Sequence, residues 1–185
     1  MVIMPCVPPP DNAVTITFDD GLECFYRKVF PVLKYRSCPT TLFAVVYHMN
    51  ATNKWMQSRD LPARRLMTRD EPRATMSADA AIGCHSAINN RLIDQSEEVL
   101  HNEVTSAKIH LAFILGLEVR DFSYPNGGCG YREQEAVIKA GYKAAYTTLS
   151  GYNKKLTDLF LLRRIDLYVA DIMQHFRRKL DCDAN

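Results

Sequence analysis

Val14-Thr15-Ile16-Thr17-Phe18-Asp19-Asp20-Gly21 sets two adjacent carboxylates at the end of an apolar, β-branched run. The run from Ala13 to Phe18 predicts a buried strand, and Gly21 predicts a turn directly after it. Packing gives no reason to place two like charges at the mouth of a buried strand. Side chains alternate along a strand, so Asp19 and Asp20 are expected to point in different directions. One can then hold a metal while the other stays free as a base, the division of labour that a water-activating hydrolase needs. A plain turn without chemistry is the alternative for Asp-Asp-Gly alone.

Outward from this stretch the elements alternate. A helix is predicted over 22–35, with Phe25, Val29, Val32 and Leu33 on one face, and a second strand over 40–46 behind Pro39. Residues 50–78 are polar, arginine-rich and weakly periodic, and predict an irregular excursion with one helix near 74–80. A third strand is predicted at 81–84. The clearest helix spans 95–115: Asp94 is expected to cap it with Glu97 at the third position, and Gly116 to close it. Val104, Ala107, Leu111, Ile114 and Leu115 give that helix its apolar stripe. A strand at 119–124, a helix at 131–140 ending at Gly141, strands near 143–148 and 160–167, and a helix at 170–180 complete the series. Such alternation implies a mostly parallel sheet, open or closed into a barrel, with functional residues at strand C-termini. One domain is expected over 13–181, behind an extended lead-in over 1–12.

Length and charge exclude several classes. The 185 residues suffice for one domain with a substantial core. Lys plus Arg total 23 against 21 for Asp plus Glu, and a net charge of +2 is no footprint for nucleic acid. The basic run Arg177-Arg178-Lys179 reads as a solvated helix end. No apolar run is long enough to span a membrane. Met1 to Asp11 lacks the basic and apolar regions of a signal peptide, and cellular location is left open. The six cysteines stand singly, which argues against a thiolate zinc site and reads as scattered buried thiols.

Two further strand ends carry chemistry. In Cys84-His85-Ser86-Ala87-Ile88-Asn89, His85 follows a strand and Asn89 lies four residues on, so a helical turn puts both on one face. With an aspartate from the first strand they can form a three-ligand site that leaves coordination positions open. A helix start with polar caps is the alternative. In Phe122-Ser123-Tyr124-Pro125-Asn126-Gly127-Gly128, Pro125 fixes the chain after a strand and two glycines allow close approach. Backbone N–H groups there can face a developing oxyanion, although such a loop alone is an ordinary turn.

Taken in order, these three strand ends resemble the polysaccharide deacetylase family, the NodB-homology domain of carbohydrate esterase family four. Pro39-Thr40-Thr41-Leu42-Phe43 extends the resemblance, which runs from about Val14 to Leu180. Gly141-Tyr142-Lys143-Ala144-Ala145-Tyr146-Thr147-Thr148 and Leu162-Arg163-Arg164-Ile165 are similar to the branch that deacetylates poly-N-acetylglucosamine. The resemblance implies an α/β fold, a distorted (β/α) barrel with fewer than eight strands. It implies a divalent metal, zinc first, with cobalt, nickel or manganese as alternatives. The implied partner is an acetylated aminosugar oligomer or polymer that loses its N-acetyl groups.

By the same resemblance, Asp19 would be the general base and Asp20 and His85 metal ligands. A backbone N–H near Asn126 would hold the oxyanion. Tyr124 can hydrogen-bond substrate or simply close the strand, and Pro125 beside it is a candidate substrate contact. Asn89 stands where the family has a second histidine and would be a weaker ligand. Ser123 stands where many members carry an arginine that orients the base, with Arg120 as a nearby substitute. The family's late histidine acid has no clear counterpart; His175 and His48 remain. Trp55 and Tyr47 can stack on a sugar ring or cover the core. Three readings compete: a sugar-binding homologue with a degraded site, a cyclic-amide hydrolase on the same fold, and a dehalogenase-type phosphatase. The last needs its two aspartates one residue apart, which Asp19-Asp20 does not offer.

Overall fold

The computed structural model describes residues 13–59, 62–76 and 80–181. The expected lead-in over 1–12 lies outside them. Five strands, β1 (Ile16–Phe18), β2 (Thr40–Ala44), β3 (Ala80–Cys84), β4 (Asp121–Ser123) and β5 (Ala144–Tyr146), pair in chain order and all in parallel. A doubly wound sheet reverses its strand order at a switch point. Here the order never reverses, so successive crossovers carry the sheet one way and curl it. The result is a curled half-barrel with helices, the distorted (β/α) barrel expected from the sequence.

Every residue of β2 is buried, as in a strand covered on both faces. The Thr40 hydroxyl enters this core at little cost because it donates to the Ile16 carbonyl at 2.7 Å. Gly83 in β3 answers to close approach, since a Cβ there would lie 2.5 Å from the Phe43 ring.

The first helix is less regular than its stripe suggests. A π-helical turn, Phe25–Val29, precedes α1 (Phe30–Tyr35). Pro31 has no N–H to give Arg27, and the Phe30 N–H reaches back five residues to Phe25 instead. The wider turn shifts the buried face to Phe25 and Phe30 and leaves Val32 exposed, correcting the face read from the sequence. The helix expected near 74–80 is α2 (Asp70–Met76), and β3 already begins at Ala80. Asp70, Glu71 and Pro72 favour a helix start at that earlier point.

The long helix runs as α3 (Glu97–His101), a π-helical segment Asn102–Ser106 and α4 (Ala107–Leu115). Leu100, Val104, Ala107, Leu111 and Leu115 bury its stripe. Its cap is Ser96 and not Asp94: the Ser96 hydroxyl accepts the Val99 N–H at 3.3 Å, while Asp94 ends a short 3-10 turn. Gly116 closes it with φ 69°, as predicted. Within the π segment the Val104 carbonyl accepts the Tyr142 hydroxyl at 3.1 Å.

The chain ends with α5 (Tyr131–Lys139) and α6 (Met173–Asp181). The strand expected over 160–167 shrinks to one parallel bridge, Tyr146 to Leu162. Leu162 keeps its ladder bonds, with its N–H on Ala145 O and its carbonyl accepting Thr147 N–H, but at the next step Arg164 N–H turns to Leu149 O and Thr147 O accepts Arg164 Nε. The excursion after β2 returns beside the first strand end, where Met67 N–H donates to Gly21 O and Glu23 N–H to Arg65 O. Among the described residues, no helix is long and apolar enough to cross a membrane. Of the described cysteines, all free, Cys84 is buried, Cys129 half-buried, and Cys24 and Cys38 exposed, which corrects the expectation of buried thiols throughout.

Candidate active site

The loops after β1, β3 and β4 meet at one mouth of the half-barrel. Six non-glycine residues have positive φ among the described residues, and four of them lie in these loops: Asp20, Ser86, Asn89 and Asn126. Each such residue costs about 1–2 kcal/mol, least for Asn and Asp. The strain therefore gathers where the candidate chemistry lies.

Asp19 is held by three hydrogen bonds. Arg164 Nη1 donates to its Oδ1 and Nη2 to its Oδ2, both at 2.8 Å, and the Ser123 hydroxyl donates to Oδ2 at 3.4 Å. Arg164 also donates to the Ser123 hydroxyl oxygen at 3.1 Å. The Asp19 side chain keeps 31% of its surface open, whereas that of Arg164 keeps 12%. Burial by itself would raise the Asp19 carboxyl. The His85 ring, the Arg164 guanidinium and Ser123 more than offset this and hold it below its ordinary 3.8, so it is a carboxylate at neutral pH.

Asp20 faces the other way, toward His85. The His85 Nδ1 lies 2.8 Å from the Ser123 carbonyl, which can only accept, so this nitrogen carries the hydrogen. In the neutral ring, Nε2 then presents a lone pair to Asp20 Oδ1, 3.7 Å away. A histidine whose outer nitrogen is fixed by a carbonyl is oriented as metal-binding histidines are. Asn89 lies in the loop that follows His85, and its Oδ1 is buried with no hydrogen-bond partner. An orphaned buried acceptor costs about 1–3 kcal/mol unless something positive meets it. The Asp20 carboxylate and His85 Nε2, with this amide oxygen from the loop that follows His85, are donor types that fit a divalent cation. Among the described residues no three His, Cys, Asp or Glu side chains gather as a metal site. Burial pushes the neighbouring Cys84 thiol up to about 12, which keeps it neutral and adds no thiolate.

In the loop after β4, the turn Pro125–Gly127 is kinked at Asn126, which has a non-helical φ of 56° and is exposed at the tip. A Cβ on Gly127 would lie 2.0 Å from the Thr148 hydroxyl oxygen, so only glycine fits beside this tip. Tyr124 and Pro125 are buried; the Tyr124 ring packs edge-on against Phe122 at 5.3 Å. Phe122 and Tyr124 share one face of the chain, and that face is the core.

Two contributors escaped the sequence reading. Arg164 fills the place expected of Arg120, which instead pairs with Glu118 at 3.3 Å on the surface. Its motif was visible, but nothing in it pointed to Asp19. Glu103 is the second. Buried at 1% exposure, its Oε2 accepts the N–H groups of Ala87 and Ile88 at 3.0 and 3.1 Å, and its Oε1 the Asn90 side chain at 3.0 Å. Hydrogen bonds to a carboxylate stabilise by about 1.5–3 kcal/mol each, enough to offset the strain at Ser86 and Asn89. Its signal was its place in the buried stripe, one residue before Val104. The remaining histidines sit elsewhere. His175 pairs with Asp171 at 3.6 Å, His48 lies against Trp55, and His110 against Tyr47.

A parallel half-barrel with a clamped carboxylate beside a facing carboxylate–imidazole pair defines a (β/α)-barrel protein with ionisable side chains gathered at the ends of its strands. A family model described as polysaccharide deacetylase matches residues 7–145, and the chain belongs to that family. It is 25% identical over 144 residues to the poly-beta-1,6-N-acetyl-D-glucosamine N-deacetylase of Staphylococcus epidermidis, covering 75% of this chain and 48% of that protein. The fold is similar to the deacetylase PplD of Streptococcus pyogenes, at TM-score 0.74 and 20% identity over 89% of this chain and 68% of that one. It is also similar to IcaB from Ammonifex degensii, at TM-score 0.72 and 20% identity over 84% and 68% of the two chains. The chain spans about half the length of the curated relatives it matches.

Proposed function

We propose that this chain is a metal-dependent hydrolase that removes N-acetyl groups from N-acetylglucosamine-containing polysaccharides or oligosaccharides. The observation that carries this reading is a clamped carboxylate, Asp19, next to the facing Asp20 and His85, with the unpartnered amide oxygen of Asn89 in the same loop as His85. Membership of the family supports it, as does similarity to the staphylococcal deacetylase.

Asp20, His85 and Asn89 would hold the divalent cation, zinc first and cobalt, nickel or manganese next. When bound, it supplies Lewis acidity toward water and the acetyl carbonyl. Asp19 is the general base. It is anionic at neutral pH and partly open, and the two-pronged Arg164 contact keeps its oxygens aimed. Asp19 takes a proton from the attacking water as the new carbon–oxygen bond forms. The loop tip at Asn126 supplies a backbone N–H to the developing oxyanion. The carbon–nitrogen bond then breaks, the proton on Asp19 passes to the departing nitrogen, and acetate and a free amine leave.

Acetate release from N-acetylglucosamine oligomers tests this. Chelator-treated protein is assayed with each metal restored, and Asp19→Asn serves as control. The expected result is metal-dependent release that falls at least about 100-fold in the variant. No release from folded protein that still binds the oligomers would support a second reading, a sugar-binding homologue. One observation favours that reading: a neutral amide at Asn89 is a weaker zinc ligand than imidazole.

A further inference from the structure

We propose that Glu103 is the positioning residue of the cation site, acting through Asn89. This rests on the cation reading above. The Asn89 amide oxygen has no hydrogen bond to hold it, so its place depends on the backbone of the 86–90 loop that carries it. That backbone is strained at both ends, with φ 64° at Ser86 and 67° at Asn89. Its carbonyls are pinned from one side: Val46 N–H donates to Ser86 O at 3.1 Å and Tyr47 N–H to Ala87 O at 2.9 Å. Its N–H groups are pinned from the other side by the single Glu103 carboxylate, whose Oε2 takes Ala87 and Ile88 in succession, while its Oε1 takes the side-chain amide of Asn90. The bonds on Ala87, Ile88 and Asn90 bracket Asn89, whose own N–H is held within the loop by the Ser86 hydroxyl at 3.0 Å.

His85 does not depend on this arrangement. Its N–H donates to Ala44 O at 2.9 Å, and its ring is fixed by Ser123. Loss of Glu103 therefore releases one donor of the trio and spares the others. The π-helical segment that carries Glu103 is held by the Tyr142 hydroxyl on Val104 O, so the carboxylate stands on a fixed support. Outer groups that orient a metal ligand set affinity for the ion as well as shape.

The test is the dissociation constant for zinc and for manganese, read by competition with a chromophoric chelator, with a thermal melt of each metal-free variant. Glu103→Ala is expected to raise Kd about 10–100-fold. Glu103→Gln keeps an acceptor for Ala87 and Ile88, and Asn90 can turn its amide to meet the new NH2, so it is expected to recover most of that loss. In an Asn89→Ala background, adding Glu103→Ala is expected to raise Kd by no more than about threefold, because the two act on one donor.

A wild-type Kd in Glu103→Ala overturns the proposal and leaves the cation reading standing. So do equal losses with and without Asn89, which make Glu103 a support of the fold at large. Wild-type protein that binds neither ion overturns both. Should Glu103→Ala not fold, Glu103→Asp carries the same cycle: it keeps the charge, retracts it by one methylene, and is expected to raise Kd about fivefold only when Asn89 is present.

Discussion

Arg164 and Asp19 lie 145 residues apart in the chain, yet their contact fixes the base of the proposed reaction. A guanidinium fork matches both carboxylate oxygens; an ammonium group meets them as a point charge. Arg164→Lys is therefore expected to lower kcat about 10–100-fold and leave KM within a few-fold, because the contact aims Asp19 and does not touch sugar. Steady-state deacetylation kinetics check this, and a raised KM at unchanged kcat would contradict it. Asp19 is partly open, so the same change costs only about 1–2 kcal/mol of stability. Asp19, Asp20 and His85 were legible in the sequence because ionisable residues at strand ends have no packing role there. Asn89 was legible only by its spacing from His85. Arg164 and Glu103 were not, since each acts on a partner in another element and both read alone as ordinary polar residues.

At the scale of elements, α5 offers a prediction in pH. Glu133 accepts the Gly130 N–H at 2.7 Å and Arg132 Nε at 2.8 Å, capping the helix start from its third position. Burial alone would raise the Glu133 carboxyl, but Arg132 and the backbone N–H groups hold it below its ordinary 4.5. The folded value lies below the unfolded one, so this stabilisation is complete above 4.5 and is lost as pH falls through the folded value. Glu133→Gln is expected to cost about 1 kcal/mol at neutral pH, with the gap to wild type closing in acid. Chemical denaturation at a series of pH values measures it, and a gap that widens in acid would refute it. The long helix and its Gly116 stop were readable from periodicity. The π-helical turns were not, because they depend on Pro31 and on a hydroxyl from Tyr142. The strand over 160–167 failed for a related reason: past Leu162 the Arg164 side chain takes the Thr147 carbonyl while the Arg164 N–H turns to Leu149 O.

At the scale of the molecule, the Arg164 contact also bridges the two edges of the half-barrel. Arg164 follows β5, and it reaches both Asp19 and the Thr17 hydroxyl at the far edge in β1. A cation on Asp20, His85 and Asn89 would tie the loops of β1 and β3 together in the same way. At about 100 times its Kd it would stabilise the fold by roughly 2.7 kcal/mol, raising Tm by about 5–10 °C. Differential scanning calorimetry with zinc and then chelator is expected to show this rise and its reversal, and His85→Ala is expected to abolish it. An unchanged Tm in the wild type would count against the cation site. The sequence by itself determined the alternation of strands and helices and the three loops that carry candidate chemistry, because these rest on local periodicity and on residue type at strand ends; the barrel class came from the family resemblance. Only the tertiary structure decided which side chain clamps the base, which carboxylate holds the Asn89 loop and where the sheet stops. Those outcomes depend on hydrogen bonds between residues far apart in the chain, where the burial of each partner fixes what the other can do.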